Sequence, residues 1–60
     1  MIGKKVKINH GLFAGSEGVV KNSFVYNGQT KYNIEVVRYE NDGEPIKLNA
    51  SCEITEFEAI

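Results

Sequence analysis

The sequence predicts an all-β fold, a small antiparallel barrel of five short strands. Three observations support this prediction. Apolar and polar residues alternate with a period of two in several short segments, turn-forming residues separate those segments, and no segment shows a convincing helical period. Sixty residues leave no room for a second core, so residues 1–60 are expected to form one domain.

The first strand is expected at about residues 4–9. Within it, Val6 and Ile8 alternate with Lys5 and Lys7. Successive side chains of a strand point to opposite faces, so the two apolar residues should lie in the core and the two lysines should face solvent.

A loop that contains Gly11 and Gly15 should join this strand to a second one at about residues 17–24. Gly18 begins the next apolar run. Glycine suits positions where the chain must turn or where one backbone closely approaches another. A side chain at Gly18 is therefore expected to meet either backbone or the packed interior.

A tight hairpin should follow at Asn27-Gly28, because both residues tolerate the positive φ of a type I′ turn. The third strand is expected to start near Thr30. Its apolar residues first alternate along one face and then appear on the opposite face at Val37 and Tyr39. This switch predicts a bulge or a strong coil near Val36–Val37.

The fourth strand should begin at Pro45, which cannot donate a hydrogen bond to a sheet ladder. A turn at residues 41–43, Asn-Asp-Gly, should precede it. Alternation along the strand predicts that Ile46 and Leu48 point inward and that Lys47 points outward.

The segment from residue 3 to residue 20 reads G-x-x-V-x-I-x-x-G-x-F-A-G-x-x-G-x-V. It resembles the KOW motif of ribosomal proteins and of bacterial and archaeal transcription elongation factors, whose small domains fold as SH3-like barrels. Leu12 stands where many members carry proline. The resemblance implies an SH3-like five-stranded barrel that contacts RNA, DNA or a nucleoprotein assembly. It is carried by Gly3, Val6, Ile8, Gly11, Phe13, Ala14, Gly15, Gly18 and Val20.

Residues 49–52 are interpreted as a short helical turn, and residues 53–57 as the last strand. SH3-like barrels commonly show a helical turn in this position. With this segment the count of strands reaches five.

Charge is distributed unevenly along the chain, although the formal net charge is only −1. Residues 1–31 carry five lysines and one glutamate, a net +4, whereas residues 32–60 carry two basic and seven acidic residues, a net −5. This split predicts either a bipolar surface whose basic side attracts phosphate or two ordinary solvated faces.

The basic half provides the first candidate site, a contact surface for RNA, DNA or a nucleoprotein assembly. Lysines hold a phosphate backbone without reading sequence, and an exposed aromatic ring stacks on an unpaired base. Phe13 suits such stacking, or alternatively it caps the core. The near-neutral total charge predicts a contact that is weak or assisted by a partner. The candidate residues are Lys4, Lys5, Lys7, His10, Phe13 and Lys21.

The alternative function is a protein-protein adaptor that uses tyrosines and an acidic loop. Aromatic residues with a polar tip suit protein recognition, and the acidic residues would favour a basic peptide. Tyr32 is expected to be half buried, and the absence of tryptophan argues against a groove for proline-rich peptides. The residues of this alternative are Tyr26, Tyr39, Glu40, Asp42 and Glu44.

The side chains needed for catalysis or metal binding do not form a recognisable pattern. His10 and Cys52 are the only histidine and cysteine, and their spacing matches neither a zinc site nor a Cys-His nucleophile pair. We therefore expect no catalytic residue, no metal and no cofactor, although an enzyme built from several small barrels is a third class to consider. One cysteine and the lack of a signal or membrane-spanning segment predict a cytoplasmic protein that does not contact membranes.

Overall fold

A computed structural model describes residues 2–39 and 43–60 of the chain. The described residues form an all-β structure with five strands, as the sequence predicts, together with one short 3-10 turn. The strands are β1 (Lys5–Ile8), β2 (Glu17–Tyr26), β3 (Gln29–Tyr39), β4 (Pro45–Glu53) and β5 (Phe57–Ala59), and the 3-10 turn is Ile54–Glu56.

All five strands belong to one antiparallel sheet with the order β4-β3-β2-β1-β5. Strands β4 and β5 are its two edges, and over the described ranges they are not paired with each other. The sheet is therefore open, whereas the sequence predicts a closed barrel. The confirmed part of the prediction is the five-stranded antiparallel sheet.

The core lies on one face of this sheet, because every strand places its buried apolar residues there. Phe13, Tyr32 and Leu48 are partly buried and pack against the core. The Tyr32 and Phe57 rings meet edge to face, with 5.5 Å between their centroids, a geometry that aromatic pairs favour. The buried residues are Val6, Ile8, Val20, Ile34, Val36, Ala50, Cys52 and Phe57. The opposite side of the sheet is called the outer face below.

Strand β3 leaves no room for a side chain at Gly18 of β2. Gly18 pairs with Val36, and a Cβ added to it would lie 2.5 Å from the carbonyl oxygen of Glu35 and 2.7 Å from Cγ2 of Ile34. Both distances are shorter than real Cβ contacts. The prediction that a side chain here meets backbone or the packed interior is confirmed.

The predicted hairpin joins β2 to β3 through a two-residue turn. Asn27 has a φ of 51° and Gly28 a φ of 76°, so both central residues have the positive φ that a type I′ turn requires. Tyr26 pairs with Gln29 directly before the turn. The strands consequently extend to the turn itself, two residues further along β2 than the sequence predicts.

The predicted bulge near Val36–Val37 is wrong. Strand β3 pairs with β4 without interruption from Lys31 to Tyr39, and Val37 simply points to the exposed outer face. The register instead shifts in β2, between Val20 and Asn22. Lys21 is therefore an extra residue in β2, with no partner in β3. The bulge that it forms changes which face of the sheet the following β2 residues occupy.

The predictions for the C-terminal segment also need correction. Residues 49–52 belong to β4 and not to a helical turn, because Ala50 and Cys52 alternate with polar residues and are buried at a period of two. The helical turn lies at Ile54–Glu56, where the backbone N–H of Glu53 donates to Oε1 of Glu56 at 2.9 Å. The last strand is Phe57–Ala59 and not residues 53–57.

The start of β4 agrees with the sequence prediction in two respects and differs in one. Pro45 is its first residue, and Leu48 packs against the core. Ile46, expected inside, is 39% exposed because it pairs with Arg38 beyond the end of the core. The predicted turn at residues 41–43 lies mostly outside the described residues.

Candidate nucleic-acid interface

The six residues of the first candidate site lie at three different places. Lys5 and Lys7 point to the outer face of β1, since Val6 and Ile8 point to the core. Lys4 and Lys21 lie near the start of β1, and His10 and Phe13 lie in the loop after its end. A four-residue strand separates these two ends by about 13 Å, so the six residues do not form one compact patch.

Lys4, Lys5 and Lys21 lie near the start of β1, and we call this region the basic corner; Lys5 points to the outer face, whereas Lys4 lies opposite the core residue Val20 and so points to the other face. The backbone N–H of Val20 donates to the carbonyl oxygen of Lys4 at 3.0 Å, which brings Lys21 next to the start of β1. Lys21 is the extra residue of the β2 bulge. Lys5 pairs with Val19, so no acidic residue lies directly opposite it. All three lysines are exposed.

Lys7 has a different electrostatic environment, although it lies on the same face of the same strand. It pairs with Glu17 of β2 on one side and with Glu58 of β5 on the other. Side chains directly opposite each other in a sheet interact, and opposite charges do so favourably. The two carboxylates offset the positive potential of Lys7, so it contributes less to phosphate attraction than the basic corner does.

Phe13 packs as part of the core and does not project freely into solvent. It is partly buried against the core residues, and the guanidinium carbon of Arg38 lies 5.6 Å from its ring centre. This is cation–π geometry. The contact favours the second of the two sequence interpretations, in which Phe13 caps the core.

A cleft of about 210 Å³ lies between the β1–β2 loop and strand β4. His10 and Phe13 line it on the loop side, and Cys52 and Glu56 line it on the other. It is smaller than the ~300–1,000 Å³ typical of small-molecule sites.

Burial raises the pKa of the Cys52 thiol above its ordinary value of 9.0, and the nearby Glu56 carboxylate raises it further, against an opposing effect of Lys31. The thiol is therefore neutral at physiological pH.

Within residues 2–39 and 43–60, no group of three or more histidine, cysteine, aspartate or glutamate side chains is arranged to hold a metal ion. The same ranges contain no helix long and apolar enough to cross a membrane.

The alternative tyrosine site is also divided between distant positions. Tyr26 pairs with Gln29, which is the first residue of β3, and Tyr39 is the last residue of that strand. Ten residue steps at about 3.3 Å each separate these ends by roughly 33 Å. Glu44 lies close to Tyr39 in the fold, since the next residue, Pro45, pairs with Tyr39. Glu40 and Asp42 lie outside the described residues.

The structure contains a row of polar side chains that sequence reasoning missed. Nδ2 of Asn33 donates to Oδ1 of Asn22 at 2.7 Å. Oδ1 of Asn33 in turn accepts from Nδ2 of Asn49 at 3.2 Å and from Oγ of Ser51 at 3.1 Å. We call these four residues the amide row; it crosses β2, β3 and β4 on the outer face. Alternation alone would place Asn22 on the core face with Val20, and only the bulge moves it outward.

Comparison with known proteins gave no relative: no protein-family model, no curated protein and no solved structure matches the chain.

Proposed function

We propose that the chain is a non-enzymatic binding module that contacts RNA or DNA, alone or within a nucleoprotein assembly, through the basic corner. The observation that supports this proposal is the grouping of Lys4, Lys5 and Lys21, exposed and with no acidic residue paired to Lys5. Such a cluster attracts phosphate oxygens without reading base sequence. The cytoplasm is the proposed compartment, since the only cysteine cannot form an intrachain disulfide.

We further propose that the sheet is an SH3-like barrel of the KOW type in an open form. Two features support the relation. A short helical turn precedes the last strand, as is common in SH3-like barrels, and Gly18 of the KOW-like pattern lies where β2 closely approaches β3. The open edges β4 and β5 would then correspond to the strands that a closed barrel brings together.

Binding through the basic corner should be weak. Three lysines neutralise about three phosphates, and for a single strand each neutralised phosphate contributes about −0.7 to the slope of log K against log salt. The expected slope is therefore about −2. The chain has a net charge of −1, so long-range attraction adds little, and a partner in the assembly is expected to assist.

The test is fluorescence anisotropy with single-stranded and duplex DNA and RNA at salt concentrations from about 50 to 200 mM. The triple variant Lys4→Gln, Lys5→Gln, Lys21→Gln should lose most of the affinity at low salt and most of the slope. Lys7→Gln, a change at an exposed lysine of β1 that pairs with Glu17 and Glu58, is the matched control and should retain both. A triple variant that binds like the parent at about 50 mM salt would refute the proposal.

A protein-protein adaptor is the second candidate, and one observation favours it. The β2–β3 hairpin exposes apolar side chains near its tip: Val25 is 71% exposed and Tyr26 is 60% exposed. A protein ligand that binds the parent and the triple glutamine variant, but not a Val25→Ser, Tyr26→Ser variant, would establish this function.

A further inference from the structure

We propose that the outer face of β2, β3 and β4 is a platform for a single-stranded nucleic acid, with Phe24 stacking on one base and the amide row meeting the edges of the next. This proposal rests on the proposed function, because the basic corner holds the phosphates of the same strand. It adds to that function a preference for unpaired bases.

The pairing register places the amide row between an aromatic residue and the lysines. Asn22 pairs with Asn33, and Asn33 pairs with Ser51. Two residues further toward the hairpin, Phe24 occupies the same outer face of β2. Two residues along a strand correspond to about 6.6 Å, so an extended strand of nucleotides that crosses the face meets the ring and then the amides in succession. Lys21 immediately precedes Asn22 in the chain.

The hydrogen-bonding groups at the ends of the amide row are open. Asn33 uses both its amide nitrogen and its oxygen within the row, and this fixes the orientation of its neighbours. Among the described residues, no group accepts from Nδ2 of Asn22, and none donates to Oδ1 of Asn49. The row therefore presents a free donor at one end and a free acceptor at the other, about 10 Å apart across two strand spacings, so each of the two groups can make a single hydrogen bond to a base edge.

Phe24 provides the stacking surface that Phe13 does not. It is 37% exposed, and it pairs across the ladder with Lys31. The Nζ of Lys31 lies 3.6 Å from Oε1 of Glu53, so its charge is already paired within the protein. An exposed aromatic ring on a sheet accepts any unpaired base, since every base has a π face.

The charges on this face decide where the phosphates run. Lys5 and Lys21 lie on the β1–β2 side, whereas Glu35 of β3 pairs with Val19 on one side and with Asn49 on the other. A carboxylate repels phosphate and accepts from the exocyclic amino groups of bases. The backbone of the ligand should therefore pass Lys5 and Lys21, with its bases directed toward β3 and β4. Duplexes are disfavoured because their base faces are stacked and their edges are paired.

The first test is an NMR titration with a short mixed-sequence DNA oligonucleotide and with its duplex. The side-chain amide resonances of Asn22, Asn33 and Asn49 should shift with the single strand and remain in place with the duplex. Shifts confined to the basic corner would overturn the platform and leave the proposed function standing. No shift in either region would overturn both.

The second test uses variants with matched controls, each checked for folding by thermal unfolding. Phe24→Ala should weaken single-strand binding by fivefold or more and spare duplex binding, and Val25→Ala, on the opposite face of the same hairpin, should spare both. The pair Asn22→Ala, Asn49→Ala should weaken single-strand binding by about three- to tenfold, whereas Asn9→Ala should not. Equal losses for single strand and duplex, or no loss in either variant, would overturn the platform.

Discussion

The guanidinium carbon of Arg38 lies 5.6 Å from the centre of the Phe13 ring. Arg38 is near the end of β3, where it pairs with Ile46 beyond the last core residues, and Phe13 belongs to the β1–β2 loop. The contact therefore connects the β1–β2 loop to the end of β3. Phe13 closes this end of the core, and Arg38 covers the ring.

Replacing Phe13 should destabilise the fold. Phe13→Ala should lower the free energy of unfolding by about 1–3 kcal/mol, less than for a fully buried phenylalanine because the ring is only partly buried. Arg38→Gln should cost about 0.5–1 kcal/mol through loss of the cation–π contact. Urea unfolding measures both. The control is Leu12→Ala in the same loop, whose side chain is 89% exposed and should change stability by less than ~0.5 kcal/mol. Unchanged stability of Phe13→Ala would show that the ring does not cap the core.

Gly18 and Gly28 should respond differently to substitution because they are glycine for different reasons. At Gly18 a Cβ meets backbone 2.5 Å away, so Gly18→Ala should cost more than ~1 kcal/mol and Gly18→Val more still. At Gly28 no atom lies within 4 Å of an added Cβ, and only the positive φ of 76° restricts the choice of residue. Asparagine tolerates positive φ, so Gly28→Asn should leave the free energy of unfolding nearly unchanged. Denaturant unfolding of both variants tests the distinction, and equal costs would contradict it.

The local features of the fold follow from short-range patterns in the sequence. Alternation of Val6 and Ile8 with lysines predicts β1, and Asn27-Gly28 predicts the hairpin, because each depends on residues that are neighbours in the chain. The position of Pro45 at the start of β4 follows for the same reason.

The features that sequence reasoning missed depend on pairing between distant strands. The bulge at Lys21 is one such feature, since it exists only relative to the β3 register and moves Asn22 to the outer face. Likewise, the carboxylates beside Lys7 appear only once the strands are in register. The lysines are correctly expected on the surface, but their electrostatic environments are not predictable from composition.

Cys52 should make stability depend on pH in the alkaline range. Burial raises the pKa of its thiol above 9.0 in the folded state, so its contribution to stability is complete below the unfolded pKa. That contribution is lost as pH rises through the folded pKa, because the unfolded chain releases the proton first. Urea unfolding from about pH 7 to 10.5 should show that the parent loses more stability than Cys52→Ala, since only the parent has a thiol to deprotonate near these values. Parallel curves for parent and variant would contradict the raised pKa.

Lys5 and Lys7 provide the sharpest comparison, because they share a strand and a face and differ in their cross-strand neighbours. Lys5 pairs with Val19, whereas Lys7 pairs with Glu17 and Glu58. Lys5→Gln should reduce the salt slope of single-strand binding by about 0.7, the contribution of one phosphate contact, and should leave stability unchanged. Lys7→Gln should leave the slope unchanged and lower the urea midpoint, because it removes the charge that two carboxylates face across the sheet. Anisotropy titrations and urea unfolding on the same two variants separate the roles. If Lys7→Gln flattened the slope as much as Lys5→Gln, the phosphate contact would extend along the whole of β1, and the basic corner would be the wrong boundary for the site.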